Sequence, residues 1–167
     1  MPLWLIGMMG SGKSQVAAEL AARRNVKFLD SDDMVEEMAG MNVERIFETE
    51  GEIGFRRRES EAVLAAATET EAVVATGGGV VTVAANVSIM KQSGTVVWLK
   101  ATVETLADRL EEVTDRPLLA GTDKRTALAN LLEERFEAYA GAADFTIETD
   151  RLQLAEIVGL AEAMWNA

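Results

Sequence analysis

The chain has 167 residues, 28 of them acidic against 16 basic, for a net charge of −12. That length is one domain with a substantial core, and the negative balance argues against DNA, RNA or an anionic membrane as partner. Cysteine and histidine are both absent, which excludes disulfides, thiol nucleophiles, zinc-type centres and imidazole catalysis, so acid/base work falls to carboxylates or lysine.

The first predicted element is a strand from Leu3 to Gly7. It runs into Gly7-Met8-Met9-Gly10-Ser11-Gly12-Lys13-Ser14, a complete G-x-x-x-x-G-K-[ST] phosphate-binding loop, with a helix expected beyond it. Glycines let backbone N–H groups turn inward around phosphate oxygens, and the helix N-terminus adds partial positive charge. Lys13 is placed to reach the β- and γ-phosphates, and Ser14 to put its hydroxyl on Mg²⁺. Gly10, Ser11, Gly12 and Gln15 complete the nucleotide-binding set, so a nucleoside triphosphate with Mg²⁺ is the first ligand pair to test.

A second strand from Val26 to Asp30 leads into Asp30-Ser31-Asp32-Asp33 and a helix containing Met34 to Met38. Two readings of this segment stand side by side. Ser31, Asp32 or Asp33 caps the helix, Asp33 and Glu36 having capping-box spacing, or the carboxylates serve a ligand. Neither later central strand ends in an aspartate, which leaves Asp30 and Asp32 as candidates for the metal or its waters.

A helix is expected from about Glu52 to Thr68. Its apolar stripe of Ile53, Leu64 and Ala67, with Val63 alongside, leaves Arg56 and Arg57 near the inward edge and Arg58 turned farther away. The third strand, Ala72 to Thr76, is followed by Gly77-Gly78-Gly79, a costly run that is tolerated where backbone approaches a ligand or makes a tight turn. The fourth strand spans Thr95 to Leu99, and a helix begins near Thr102. Arg109 near its end suits either the helix dipole or a ligand.

The segment Thr114 to Lys124, with Pro117 and Gly121 at its borders, has the composition of a lid loop carrying Arg116. In the next helix Leu128, Leu132, Arg135 and Tyr139 recur at helical spacing, which sets Arg135 on an apolar stripe. A guanidinium there needs an anion: a ligand, or an acidic side chain of the same chain. The fifth strand is Asp144 to Ile147. Near-continuous apolar strands alternating with helices give a three-layer α/β fold with a parallel sheet and ligands at its carboxyl edge. No apolar run is long enough to cross a membrane and no leader pattern is present, so a soluble cytoplasmic protein is expected.

Taken together and in this order, the phosphate loop, Asp30-x-Asp32, Phe55-Arg56-Arg57, Gly77-Gly78-Gly79, Arg116-Pro117-Leu118-Leu119 and Arg135-x-x-x-Tyr139 resemble the shikimate kinase family. The resemblance runs from the phosphate loop to about Arg151. It implies a P-loop fold similar to nucleoside monophosphate kinases, with five parallel strands in the order 2-3-1-4-5, in one kinase domain spanning 1–167. A lid near 114–124 and a substrate-binding region near 31–62 go with it.

The implied reaction moves the γ-phosphate of ATP to the 3-hydroxyl of shikimate. By the same resemblance Lys13, Asp32 and Arg116 are catalytic, and Ser14 and Asp30 serve the metal, Asp30 through water. Asp32, Arg56, Gly78, Gly79 and Arg135 bind shikimate, Arg109 and Arg151 lie near adenine, and the protein is a monomer. Ser14 replaces the commoner threonine, and the segment Ala22 to Val26 is short for the family. Gluconate kinase, or another small-metabolite kinase of this fold, is the alternative; a non-catalytic nucleotide-binding module is the third.

Overall fold

The computed structural model describes residues 1–111 and 123–167. Its centre is a parallel sheet of β1 (Leu3–Ile6), β2 (Lys27–Asp30), β3 (Ala72–Ala75), β4 (Thr95–Lys100) and β5 (Phe145–Glu148). The strands lie in the order β2-β3-β1-β4-β5, as the family resemblance implies. β1 is central: Leu3 is in register with Val73 on one side and Thr95 on the other.

Every residue of β1 is buried, and the pleat explains why no polar alternation is visible. Leu3 and Leu5 enter the core on one face with Val16, Leu20, Ile157 and Val158. Trp4 and Ile6 enter the other with Val63, Met90, Leu106, Leu128 and Tyr139. Successive side chains point to opposite faces, so a strand covered on both must be apolar throughout. Each Leu or Ile so buried contributes about 1.5–3 kcal/mol relative to exposure.

The first face is covered by α1 (Lys13–Arg24) and α7 (Leu154–Trp165), the second by α3 (Val43–Ala66), α4 (Ala84–Ser93), α5 (Val103–Arg109) and α6 (Lys124–Ala142). α2 (Ser31–Ala39) and α3 share a smaller cluster of Val35, Ile46, Phe55 and Ala62.

The helix expected from Glu52 is the second piece of α3: Gly51, at φ 69°, ψ −174°, breaks the run Val43–Ala66 into two helical pieces. The expected apolar stripe of the second piece is corrected in two members: Ile53 is 88% and Leu64 59% exposed, whereas Val63 is buried and Ala67 packs partly buried against the core. Phe55, Ala62 and Ala66 join Val63 on the buried face, with Glu59 among them. The periodicity misleads because the charge run Arg56 to Glu59 carries two inward residues, Arg56 and Glu59, among outward ones.

Candidate active site

The phosphate loop leaves the buried carboxyl end of β1 and closes on α1. Gly12 caps α1 at φ 92°, a left-handed conformation that L side chains rarely adopt, and this starts the helix directly at Lys13. The Lys13 ammonium is buried, donating to the carbonyls of Gly7 at 2.8 Å and Met8 at 2.9 Å. Beside it the Ser14 hydroxyl donates to Asp30 Oδ2 at 2.6 Å, tying the loop to the end of β2. A cavity of about 580 Å³ lies over these groups, lined by Gly10 to Val16, Asp30, Asp32, Thr76, Gly77, Gly78 and Arg109 among others.

Asp30 also resolves the capping question. Its Oδ1 accepts from the Asp32 N–H at 3.0 Å, making Asp30 the N-cap of α2, so the cap is none of Ser31, Asp32 and Asp33. Glu36, expected in a capping box, accepts instead from the Val43 N–H at 2.8 Å. Asp32 lines both the large cavity and a cleft of about 60 Å³ next to it.

That cleft collects the remaining residues: Asp32, Arg56, Gly77 to Gly79 and Arg135, with Met9, Val43, Phe47, Phe55 and Glu59. Of the two arginines that periodicity left open in α3, Arg56 points inward with its side chain 13% exposed, while Arg57 is 68% exposed. Arg58, expected to be the farthest out, is held by Glu50 at 2.7 Å.

Arg56 and Arg135 differ in partners. Arg56 pairs with Glu59 at 2.8 Å and Glu52 at 3.4 Å. Arg135 is 4% exposed, and its Nη1 has no hydrogen-bond partner among the described residues. A desolvated guanidinium face aimed into a cleft is a site for an anion.

Glu59 and the bonds made by Ser31 and Tyr139 are not marked in the sequence. Glu59 is buried, holds Arg56, and leaves Oε1 without a hydrogen-bond partner among the described residues. Burial pushes its carboxyl above the ordinary value against the pull of Arg56, and Asp32 adds to the rise. Ser31 is buried and accepts from the Gly77 N–H at 2.9 Å. The Tyr139 hydroxyl donates to the Gly78 carbonyl, and burial raises it to about 12 although Arg135 opposes. The i, i+4 spacing from Arg135 to Tyr139 was the available signal for the last.

Arg109 is brought to the loop, its guanidinium 3.4 Å from the carbonyls of Gly10 and Ser11 and from Thr149 Oγ1. Arg151 is exposed in the turn before α7 and does not line the cavity, whereas Leu152 and Leu154 do. Arg116 and most of the expected lid lie outside the described residues. Among the described residues no cluster of three or more carboxylates forms a metal cage. The Ser14–Asp30 pair suits instead a cation such as Mg²⁺, which takes one or two protein ligands and completes its shell with phosphates and water.

A phosphate loop at the carboxyl edge of a five-stranded parallel sheet, opening on a small cleft with a desolvated guanidinium, defines a P-loop small-molecule kinase. The shikimate kinase family model matches residues 9–162. A shikimate kinase of Francisella tularensis subsp. novicida is 40% identical over 157 residues, covering 93% of this chain and 89% of that one. Among solved structures, a shikimate kinase from Acinetobacter baumannii in complex with shikimate superposes with TM-score 0.92 at 37% identity, covering 95% of this chain and 89% of that one. The Aquifex aeolicus shikimate kinase gives TM-score 0.84 at 31% identity, with 99% and 96% covered. This chain belongs to the shikimate kinase family.

Proposed function

We propose that this protein transfers the γ-phosphoryl group of ATP to the 3-hydroxyl of shikimate, giving ADP and shikimate 3-phosphate. The observation that carries the reading is the junction of two cavities. The phosphate-loop cavity and the cleft holding Arg135 share Met9, Asp32, Gly77 and Gly78, so a donor phosphate in one meets an acceptor hydroxyl in the other.

ATP phosphates lie on the backbone of Gly10 to Lys13, with Ser14 and Gln15 beyond. Lys13 exchanges its loop carbonyls for β- and γ-oxygens and stabilises charge on the transferring group. Ser14 and Asp30 would hold Mg²⁺, Asp30 through water, and the ion would neutralise phosphate charge. Arg56 and Arg135 fork the substrate carboxylate. Gly78 and Gly79 meet the ring with backbone, and Asp32 orients the reacting hydroxyl and accepts its hydrogen bond.

Arg109 flanks the adenine with Leu154 nearby, Arg151 serves its periphery, and Arg116 closes from the lid over 114–124. The chain works as one domain and as a monomer. Its net charge of −12 disfavours nucleic acid and anionic membrane, and no helix among the described residues is long and apolar enough to cross a membrane. A cytoplasmic location follows from this reading.

The test is ADP release with Mg²⁺ and ATP against shikimate, gluconate and nucleoside monophosphates. Turnover with shikimate alone is expected. Turnover with gluconate and none with shikimate would overturn the substrate assignment.

A further inference from the structure

The glycine turn after β3 is gripped by side chains from two different helices. Ser31, the first residue of α2, accepts from the Gly77 N–H at 2.9 Å. Tyr139, in α6, donates its hydroxyl to the carbonyl of the next residue, Gly78. Both side chains are fully buried, and each adjoins a substrate group of the proposed reaction: Ser31 precedes Asp32, and Tyr139 lies one helical turn beyond Arg135.

The turn is also the surface against which those groups rest. A Cβ on Gly77 would sit 2.8 Å from Asp32 Oδ1 and 2.5 Å from Glu59 Oε1, and one on Gly78 3.5 Å from Arg135 Nη1. Downstream, Thr82 Oγ1 donates to the Gly79 carbonyl at 2.7 Å and Asn86 Nδ2 to the Val80 carbonyl at 3.2 Å, which fixes the far end.

We infer that Ser31 and Tyr139 are positioning residues that set, through the Gly77–Gly78 backbone, the separation between Asp32 and Arg135 and hence the span of hydroxy-carboxylate the cleft accepts. The inference rests on the proposed reaction. Neither residue lines the phosphate-loop cavity. Losing either bond lets the turn shift relative to one anchor of the acceptor while the phosphate loop keeps its own contacts. Tyr139→Phe is the sharper variant, because its ring remains stacked on Trp98 at 5.4 Å.

The test measures kcat, the two KM values and Tm for wild type, Tyr139→Phe and Ser31→Ala. The shikimate KM should rise about three- to tenfold in each, the scale of one buried neutral hydrogen bond, with the ATP KM within about twofold. An unchanged shikimate KM with a lowered Tm, or a parallel rise in both KM values, would reduce the pair to structural residues and overturn the inference. Should Tyr139→Phe fail to fold, Ser31→Ala carries the same comparison. A wild type inactive on shikimate defeats the functional reading itself, whereas an active wild type with unshifted variants defeats only the positioning role.

Discussion

Arg135→Ala separates a substrate anchor from a structural residue. In α6 the side chain is 4% exposed, faces the cleft, and keeps Nη1 without a hydrogen-bond partner among the described residues. A guanidinium desolvated on folding and left incompletely bonded stabilises the free protein little. Loss of its stem packing is offset by removal of that cost, so Tm should move by no more than about 4 °C, or about 1 kcal/mol in a domain of this size. Binding behaves differently. With the arginine gone, the shikimate carboxylate is buried with half its fork missing, a penalty of about 2–5 kcal/mol. At about 1.4 kcal/mol per decade this weakens shikimate binding roughly thirty- to several-thousandfold. ATP, held by the loop from Gly7 to Ser14, should bind within about threefold of wild type, a change of about 0.65 kcal/mol. Titrating the variant separately with ATP and shikimate, with Tm measured alongside, gives the answer. Preserved shikimate binding, or a large Tm loss that weakens both ligands together, would refute the assignment.

Lys13→Met should abolish turnover while leaving a folded protein with a modestly lower Tm, since the ammonium also bonds two loop carbonyls; retained turnover would remove it from the reaction. Arg116→Ala should lower kcat with little change in Tm, as expected of a group acting in the closed state; normal kcat with a clear Tm loss would make it structural. Glu59 has a folded-state pKa above its ordinary 4.5, chiefly from burial. Its contribution to stability is therefore fully present below about 4.5 and declines as pH rises through the folded value. Glu59→Gln mimics the protonated form, so its Tm relative to wild type should rise across that window; a difference that is flat with pH, or falls, would contradict the assigned shift.

The centre of the sheet was legible because parallel strands packed on both faces must be apolar, and β1, β3 and β4 supply such runs, whereas the edge strands β2 and β5 are largely exposed and mix polar with apolar residues. The phosphate loop was legible because few residue types satisfy its backbone demands. What escaped the sequence lies where a polar residue turns inward. Glu59 ends the charge run Arg56-Arg57-Arg58-Glu59, and nothing local marks it as the one that pairs inward with Arg56. Ser31 and Asp30 divided the work in a way the segment does not display: either can cap a helix, and only the fold shows that Asp30 caps α2 while Ser31 reaches Gly77. Ile53 and Leu64 misled because two exposed apolar residues eleven apart repeat the period of a buried stripe.

The central claim is that one phosphoryl group passes from ATP to a particular ring hydroxyl. Phosphorus–proton correlation NMR of the product formed from shikimate, ATP and Mg²⁺ tests it most directly. The account predicts a single phosphomonoester coupled to the proton on carbon 3, formed in step with ADP and absent with Lys13→Met. A phosphate on another hydroxyl, or ADP formed with shikimate unmodified, would contradict it.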